Sequence, residues 1–469
     1  MRLVVVGNGM AGARLVTEVR RRGRDTGIDV EVSVFEAEPC QPYNRVLLSN
    51  VLAGTAGPEQ VRLLDPGWYA ENGVRTHLGV RVLGIDRAAR VVVAEDGTRE
   101  PYDVLVLATG SEPVVPPIPG AERAMAFRTL DDCDRIRAAA GSARHAVVVG
   151  GGLLGVEAAR GLAGLGLPVT LLHRAGHLME RQLDTEAGLV LRQTLAMVGV
   201  TVRTGVTVSA VDPGRVRLTD GAVTDADLVV FACGVRPVVR LAREAGLRVD
   251  RGVVVDDGLR TDDRSIFAIG ECAQHAGTVY GLVAPAWEQA AVVADIVTGA
   301  DRGARYRGSR VVTRLKATGV ELAAMGETHL TDDQAEIVRF THRRSGTYRK
   351  LVIRGERLVG AILLGETPTV GSLTQLFDRG GPLPGDRMGL LSPEPAAAGA
   401  ASPALMPDSA RVCRCNNVTK GRIRACWEAG ARDLPAVVAA TAATTGCGGC
   451  REAVDGIVGW LCEQEGVSV

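Results

Sequence analysis

One arrangement occurs twice in this sequence and limits the fold more than any other feature. The apolar run RLVVV (2–6) leads straight into GNGMAG (7–12) and a helix-like stretch, then into VEVSVF (30–35), which ends beside Glu36. HAVVVGGGLLGVEAARGLAGLG (145–166), followed by VTLLH (169–173), repeats it. Each copy closes alike, with an Asp-Gly turn between two strands and a small residue before a final glycine, in RVVVAEDGTREPYDVLVLATG (90–110) and RVRLTDGAVTDADLVVFACG (215–234). Each copy is thus a whole strand–helix–strand unit with a hairpin, not a stray glycine motif. TDDRSIFAIGEC (261–272) resembles the return strand of the first unit, which implies that the second is inserted within the first.

A glycine triplet alone is weak evidence. Here both copies follow a strand and open a helix, the context that gives G-x-G-x-x-G its mechanism. Gly7 permits a tight turn, Gly9 lets the backbone approach a pyrophosphate, and Gly12 lets the helix pack closely on the strand. Met10 and Ala11 open that helix, whose free N–H groups and positive dipole end favour phosphates. Glu36 is placed to accept hydrogen bonds from an adenosine ribose. Gly150, Gly152 and Gly155 take the same places in the second copy, with Leu153 and Leu154 at the helix start and Gly234 closing the unit. His173 stands where Glu36 would, followed by Arg174. With no carboxylate at that position a ribose 2′-phosphate is not repelled, and Arg174 could pair with it. That leans towards NADPH, but a surface arginine in an arginine-rich chain is an equal reading, so NADH versus NADPH stays open. The expected fold class is α/β: two Rossmann-like dinucleotide-binding domains, one inserted in the other, a small α+β domain, and a small helical domain.

At this point the sequence resembles the two-dinucleotide-domain flavoprotein reductases, over roughly residues 1–300. The resemblance rests on both glycine motifs, on Ala108-Thr109-Gly110 and on TDDRSIFAIGE (261–271). It implies that the first unit binds FAD and the inserted one NAD(P)H, with Glu271, after Gly270, on the FAD ribityl chain and Glu157 beside nicotinamide and flavin. PYNRVLLSN (42–50) resembles the flavin-lining segment of ferredoxin-reductase-like members; Arg45 matches, and Asn50 replaces their lysine, so a lysine–glutamate pair with Glu157 cannot form there. With FRTLDD (127–132), LMERQLD (178–184) and YGLVAPAWEQA (280–290), the chain resembles the flavin-containing part of bacterial assimilatory nitrite reductase and its nitrate-reductase electron-transfer relatives.

Near the C-terminus four thiols cluster as C-x-C, 31 residues, C-x₂-C: Cys413, Cys415, Cys447 and Cys450. A zinc ribbon favours a two-residue gap on both sides, and the gap between Cys413 and Cys415 is tighter. A dithiol relay leaves one pair unexplained. A [2Fe–2S] cluster needs four thiolates, and Gly446, Gly448 and Gly449 permit a turn that aims N–H groups at its sulfurs. Between the pairs the sequence reads as two short helices with Thr419 and Asp433 as N-caps and Pro435 near a helix start. From 411 to about 460 the tail resembles the bacterioferritin-associated-ferredoxin-like [2Fe–2S] domain, which implies that the four cysteines hold such a cluster. Cys133, Cys233, Cys272, Cys426 and Cys462 fit no ligand spacing and read as apolar packing. The seven histidines show no metal spacing, and none is assigned a catalytic role.

The expected domains are FAD-binding at 1–112 and 240–300, NAD(P)H-binding at 113–239, an α+β module at 306–380, a Pro/Ala/Gly/Ser-rich flexible linker at 381–410 and the cluster domain at 411–469. A flexible chain of that linker's length spans on the order of 30 Å. The 54 basic and 54 acidic residues cancel, so there is no nucleic-acid or anionic-membrane footprint. Lysine occurs only at 316, 350 and 420, a skew that reads as compositional drift. No run approaches the ~20 apolar residues of a membrane span, and no signal peptide is evident; the expected location is cytoplasmic. Homo-oligomerisation is left open.

The expectation is an enzyme: an NAD(P)H-dependent flavoprotein reductase passing electrons from FAD to [2Fe–2S] and then to a separate acceptor. Full-length nitrite reductases of the resembled family continue into a sirohaem and iron–sulfur domain with four further cysteines. No second set exists here, so the expected partner is a separate nitrite or nitrate reductase catalytic subunit. One alternative is a disulfide or peroxide reductase using Cys40, in EPCQPYN just after Glu36. Another is a redox- or iron-sensing regulator, for which no DNA-binding pattern appears.

Overall fold

The computed structural model describes every residue except 318, 366–368, 393–402, 414–415, 417, 445–449 and 466–469. The chain divides into two compact units. The first comprises Met1–Arg45, Pro58–Glu112 and Val235–Ser309; the second comprises Val46–Gly57, Pro113–Gly234 and Arg310–Val469.

The first unit is built on a parallel five-stranded sheet. β1 (Arg2–Val6) leads through the glycine loop into α1 (Met10–Thr26), then β2 (Glu31–Glu36), β3 (Val74–Leu78) and β4 (Val104–Leu107). The spatial order is Ile266–Ala268, β4, β1, β2, β3, with Val5 opposite both Val34 and Val106. The expected return strand is therefore Ile266–Ala268, parallel to β4. Four of the five β1 residues are buried, as a central parallel strand covered on both faces requires. α1 packs on the helix Val283–Thr298, whose Trp287 donates its indole N–H to Met10 O at 2.8 Å.

The run read as a strand, a turn and a strand at 90–110 resolves into three strands. Val91–Ala94 and Arg99–Pro101 form an antiparallel hairpin against Val82–Asp86, and only β4 joins the parallel sheet. The break falls at Tyr102-Asp103, where Tyr102 is buried and Asp103 pairs with Arg2 at 2.9 Å.

The second unit repeats the plan. β5 (Ala146–Val149) leads through α2 (Leu153–Gly164) into β6 (Val169–His173) and α3 (Thr185–Met197), and the parallel sheet is ordered Val200–Thr204, β6, β5, Leu228–Phe231, Met125–Ala126. Further along lies an antiparallel five-stranded sheet, ordered Val312–Ala317, Val320–Gly326, Arg357–Leu364, β7 (Thr347–Arg354), Glu336–His342, with the helix Val370–Arg379 on it. Ordered structure runs past the expected start of the linker. Leu383 and Leu391 lie in the same core as Leu373 and Phe377, and the Leu383 N–H donates to Glu356 O at 2.8 Å. The middle of that segment, 393–402, lies outside the described residues.

In the tail the helix Lys420–Glu428 is capped by Thr419, whose hydroxyl accepts from the Arg422 N–H; Leu434–Thr441 is capped by Asp433, with Pro435 in the first turn. The helix Arg451–Glu465 follows Cys450.

Candidate functional site

Each glycine loop separates what the chain needs from what a ligand needs. Gly7 holds φ +106°, and a Cβ there would lie 2.2 Å from Ala108 O; a Cβ on Gly12 would lie 1.9 Å from Gly7 O. Backbone cannot yield to such contacts, so these two glycines are demanded by the protein itself. Gly9 differs, because the nearest atom to its would-be Cβ is Arg45 Nε at 3.9 Å. The second loop matches. A Cβ on Gly150 would meet Ala232 O at 2.2 Å and one on Gly155 would meet Gly150 O at 1.7 Å, whereas Gly152 has nothing within 4 Å. In both loops the middle glycine sits at the N-terminus of a long helix with no backbone against its would-be Cβ, only the Arg45 side chain at Gly9 and open space at Gly152, which suits close approach of a pyrophosphate to free N–H groups.

In the first unit the Asn8 N–H donates to Glu36 Oε2 at 2.5 Å, the Glu38 N–H donates to Glu36 Oε1 at 3.1 Å, and the Tyr69 hydroxyl donates to Asn8 Oδ1 at 2.5 Å. Glu36 is thus fixed at the loop by two backbone donors. Arg45 pairs with Glu38 and donates to the Tyr43 hydroxyl at 2.9 Å, its guanidinium 4.8 Å from the ring centre. A cavity of about 830 Å³ runs over Gly7, Glu36, Thr109, Glu112, Arg236, Val238 and Arg251. Sequence reasoning missed Arg236 and Arg251, which no motif marks.

The structure also gathers the closing elements of this unit. A Cβ on Gly270 would lie 3.0 Å from Ala11 Cβ, and Thr109 Oγ1 donates to Val238 O at 2.8 Å. Gly110, after Ala108 and Thr109, takes φ +68°. Glu271 accepts from Ser111 Oγ at 2.5 Å, and the Gly270 N–H donates to Gln289 Oε1 at 2.7 Å.

In the second unit Leu153 and Leu154 open α2 behind Gly152, and Gly234 takes φ +98° with open space at its would-be Cβ. His173 is buried. Its Nδ1 accepts from the Gly151 N–H at 3.0 Å, and its Nε2 lies 3.0 Å from Glu180 Oε2. The His173 ring thus carries the Glu180 carboxylate on its far nitrogen, and nothing in strand or motif spacing pointed to it. Arg174 is exposed and makes no ion pair among the described residues. Glu157 is buried on α2 without a hydrogen-bond or charged partner among the described residues, and burial pushes its carboxyl up to about 8.

In the tail, Cys413 is buried and lies 3.8 Å from Asn416 Nδ2, an amide donor at its sulfur, while Cys450 is half-buried ahead of its helix. An amide donor at the sulfur of Cys413 suits a cluster ligand. Cys415 and Cys447 lie outside the described residues. Elsewhere, burial and the carboxylates of Glu38 and Glu36 raise the Cys40 thiol above its ordinary value, which disfavours the thiolate a redox nucleophile needs. Burial likewise pushes Cys133 up to about 12 and Cys233 up to about 11. Cys133, Cys272 and Cys462 are buried; Cys233 and Cys426 are half-buried with Sγ on backbone carbonyls. No helix among the described residues is long and apolar enough to cross a membrane.

Comparison with known proteins agrees with this geometry. Residues 1–290 match the pyridine nucleotide-disulphide oxidoreductase family, 312–380 the rubredoxin NAD+ reductase C-terminal domain, and 411–460 the BFD-like [2Fe–2S] binding domain. The chain is similar to the nitrite reductase [NAD(P)H] of Bacillus subtilis (strain 168), 39% identical over 97% of this chain and 57% of the relative. It is also similar to the assimilatory nitrate reductase electron transfer subunit of the same organism, 36% identical over 99% and 60%. It therefore spans under two thirds of either relative. Among solved structures, the covalent putidaredoxin reductase–putidaredoxin complex matches with a TM-score of 0.73 and 27% identity, over 81% of this chain and 93% of that one. FAD and NAD(P)H are the cofactors of the matched flavoprotein family, and a [2Fe–2S] cluster is that of the tail domain. With both glycine loops shaped for dinucleotides and the first 290 residues matched, the chain belongs to the pyridine nucleotide-disulphide oxidoreductase family.

Proposed function

We propose that the chain is an electron-transfer component of nitrate or nitrite assimilation, carrying electrons from NAD(P)H by way of FAD and the tail [2Fe–2S] cluster to a separate catalytic subunit. The observation that carries this reading is the pair of loops whose middle glycines have no backbone against their would-be Cβ atoms, on one polypeptide with a thiol-bearing tail. When bound, a flavin can take two electrons from a nicotinamide and release them singly, which a one-electron cluster requires.

The chain's own residues supply binding and orientation. Gly9 and Gly152 admit the pyrophosphates to the N-termini of α1 and α2. Glu36, held by the Asn8 and Glu38 N–H groups, accepts ribose hydroxyls, and Glu271, oriented by Ser111, sits at the flavin side chain. Glu157 keeps a proton at neutral pH and so presents an uncharged carboxyl in the second unit. Cys413, Cys415, Cys447 and Cys450 are the cluster ligands.

The test is anaerobic purification followed by NAD(P)H addition. Bound FAD, two irons per chain by the cluster's stoichiometry, and bleaching of the cluster absorbance are expected. Coupled nitrate or nitrite reduction is expected only when a catalytic subunit is added. A tail that NAD(P)H never reduces would sink the reading. The raised Cys40 thiol disfavours the disulfide-reductase alternative, and Cys40→Ser should leave NAD(P)H–ferricyanide turnover intact.

A further inference from the structure

The second glycine loop is strapped from outside, and the strap carries a carboxylate. Gly151 is held at both polar groups: its N–H donates to His173 Nδ1 at 3.0 Å, and its carbonyl accepts from the Met179 N–H at 2.9 Å. Its open Cα face is filled by neighbours, since a Cβ there would lie 2.5 Å from Leu178 Cδ2 and 2.7 Å from His173 Cγ. Met179 holds φ +51°, a left-handed conformation that a side-chain-bearing residue keeps only where its surroundings over-determine it. The next residue is Glu180.

The two units solve the same problem with different chemistry. At the end of β2, Glu36 both accepts the loop N–H of Asn8 and presents a carboxylate. At the end of β6, His173 accepts the loop N–H of Gly151 and presents no charge of its own. Because Nδ1 is the acceptor, the ring proton sits on Nε2, which donates to Glu180 Oε2 at 3.0 Å. The carboxylate has thus moved outward by one imidazole ring. Its other oxygen makes no hydrogen bond among the described residues, and its side chain is 41% exposed.

We propose that Glu180, positioned through His173 and the Leu178–Met179 strap, sets the pyridine-nucleotide preference of this chain in favour of the unphosphorylated ribose of NADH. A carboxylate at this end of the second strand accepts hydrogen bonds from ribose hydroxyls and repels a 2′-phosphate. Arg174 is the opposing influence, but it is exposed and makes no ion pair among the described residues, whereas the His173–Glu180 pair is held at the loop. This inference rests on reading the second unit as the pyridine-nucleotide site.

The test uses the full FAD-loaded chain and ligands without a reacting nicotinamide, ADP-ribose and its 2′-phosphate, titrated by calorimetry. The unsubstituted chain should prefer ADP-ribose about tenfold or more, the scale of one hydrogen bond to a charged group. Glu180→Gln should bring the two ligands near parity, and Glu180→Arg should invert the order. Flavin content and melting curves show that each variant is folded. Tighter binding of the 2′-phosphate by the unsubstituted chain, or a ratio unmoved by both substitutions, overturns the proposal. If the unsubstituted chain binds neither ligand, the pyridine-nucleotide site itself is misread and this inference falls with it.

Discussion

Lys350 on β7 and Lys420 in the tail are two of only three lysines among the 54 basic residues, and both are buried. The Lys350 ammonium donates to Asp184 at 3.0 Å and to the carbonyls of Thr328 and Leu330 at 2.9 and 3.2 Å; Lys420 donates to Met406 O at 2.8 Å and lies 4.5 Å from the Trp460 ring centre. At Lys350 the three donors of a compact ammonium meet one carboxylate and two carbonyls. Lys350→Met should lower stability by about 3 kcal/mol, because Asp184 would keep its charge without its cation; urea unfolding of this part of the chain measures it. Burial opposes ionisation of Asp184, but the Ala187 N–H, the Tyr348 hydroxyl and Lys350 together hold its pKa below the usual range. Glu157 has the opposite sign. Between the ordinary carboxyl range and about 8 the folded chain holds a proton that the unfolded chain has released, so stability falls as pH rises through that window. Glu157→Gln should flatten that slope in melting temperatures recorded from about pH 5 to about pH 8. Neither residue's environment was legible in the sequence, because burial and carbonyl cages are made by distant segments.

At the level of elements, the glycine loops were legible because their steric logic is local: strand, tight turn, helix. The same locality explains why Thr419, Asp433 and Pro435 fell where helix-start chemistry placed them. The strand that splits at Tyr102-Asp103 was read as continuous because its break is tied by Asp103 to Arg2, 101 residues away. Glu180 was missed for a related reason, since it reaches the loop through a strained backbone and not through strand spacing. The contrast among glycines gives a sharp expectation. Gly155→Ala forces a Cβ against Gly150 O and should yield unstable or insoluble protein. Gly152→Ala meets no protein atom, so the variant should fold with normal flavin content yet lose NAD(P)H affinity by tenfold or more. Equal loss of folding in both variants would show that open space at Gly152 is not reserved for a ligand.

For the molecule as a whole, the sequence repeat suggests a discontinuous plan with two stretches, 1–112 and 240–300, in the first domain; the first compact unit comprises three stretches, with Val46–Gly57 falling in the second unit. The tail was legible through thiol spacing. Cys413→Ser should abolish bound iron while leaving NAD(P)H–ferricyanide turnover; iron retained in full would remove Cys413 from the ligand set. The strand order of the first sheet has one more consequence, which concerns manufacture. The inserted sheet has all its strands once Phe231 has been made, but the outer sheet waits for Ala268 before its last strand can dock on β4. At ribosomal speed that interval is about 2–7 s. Throughout it the nascent chain carries a bare hydrogen-bonding border along Val104–Leu107, a template for mispairing with neighbouring chains.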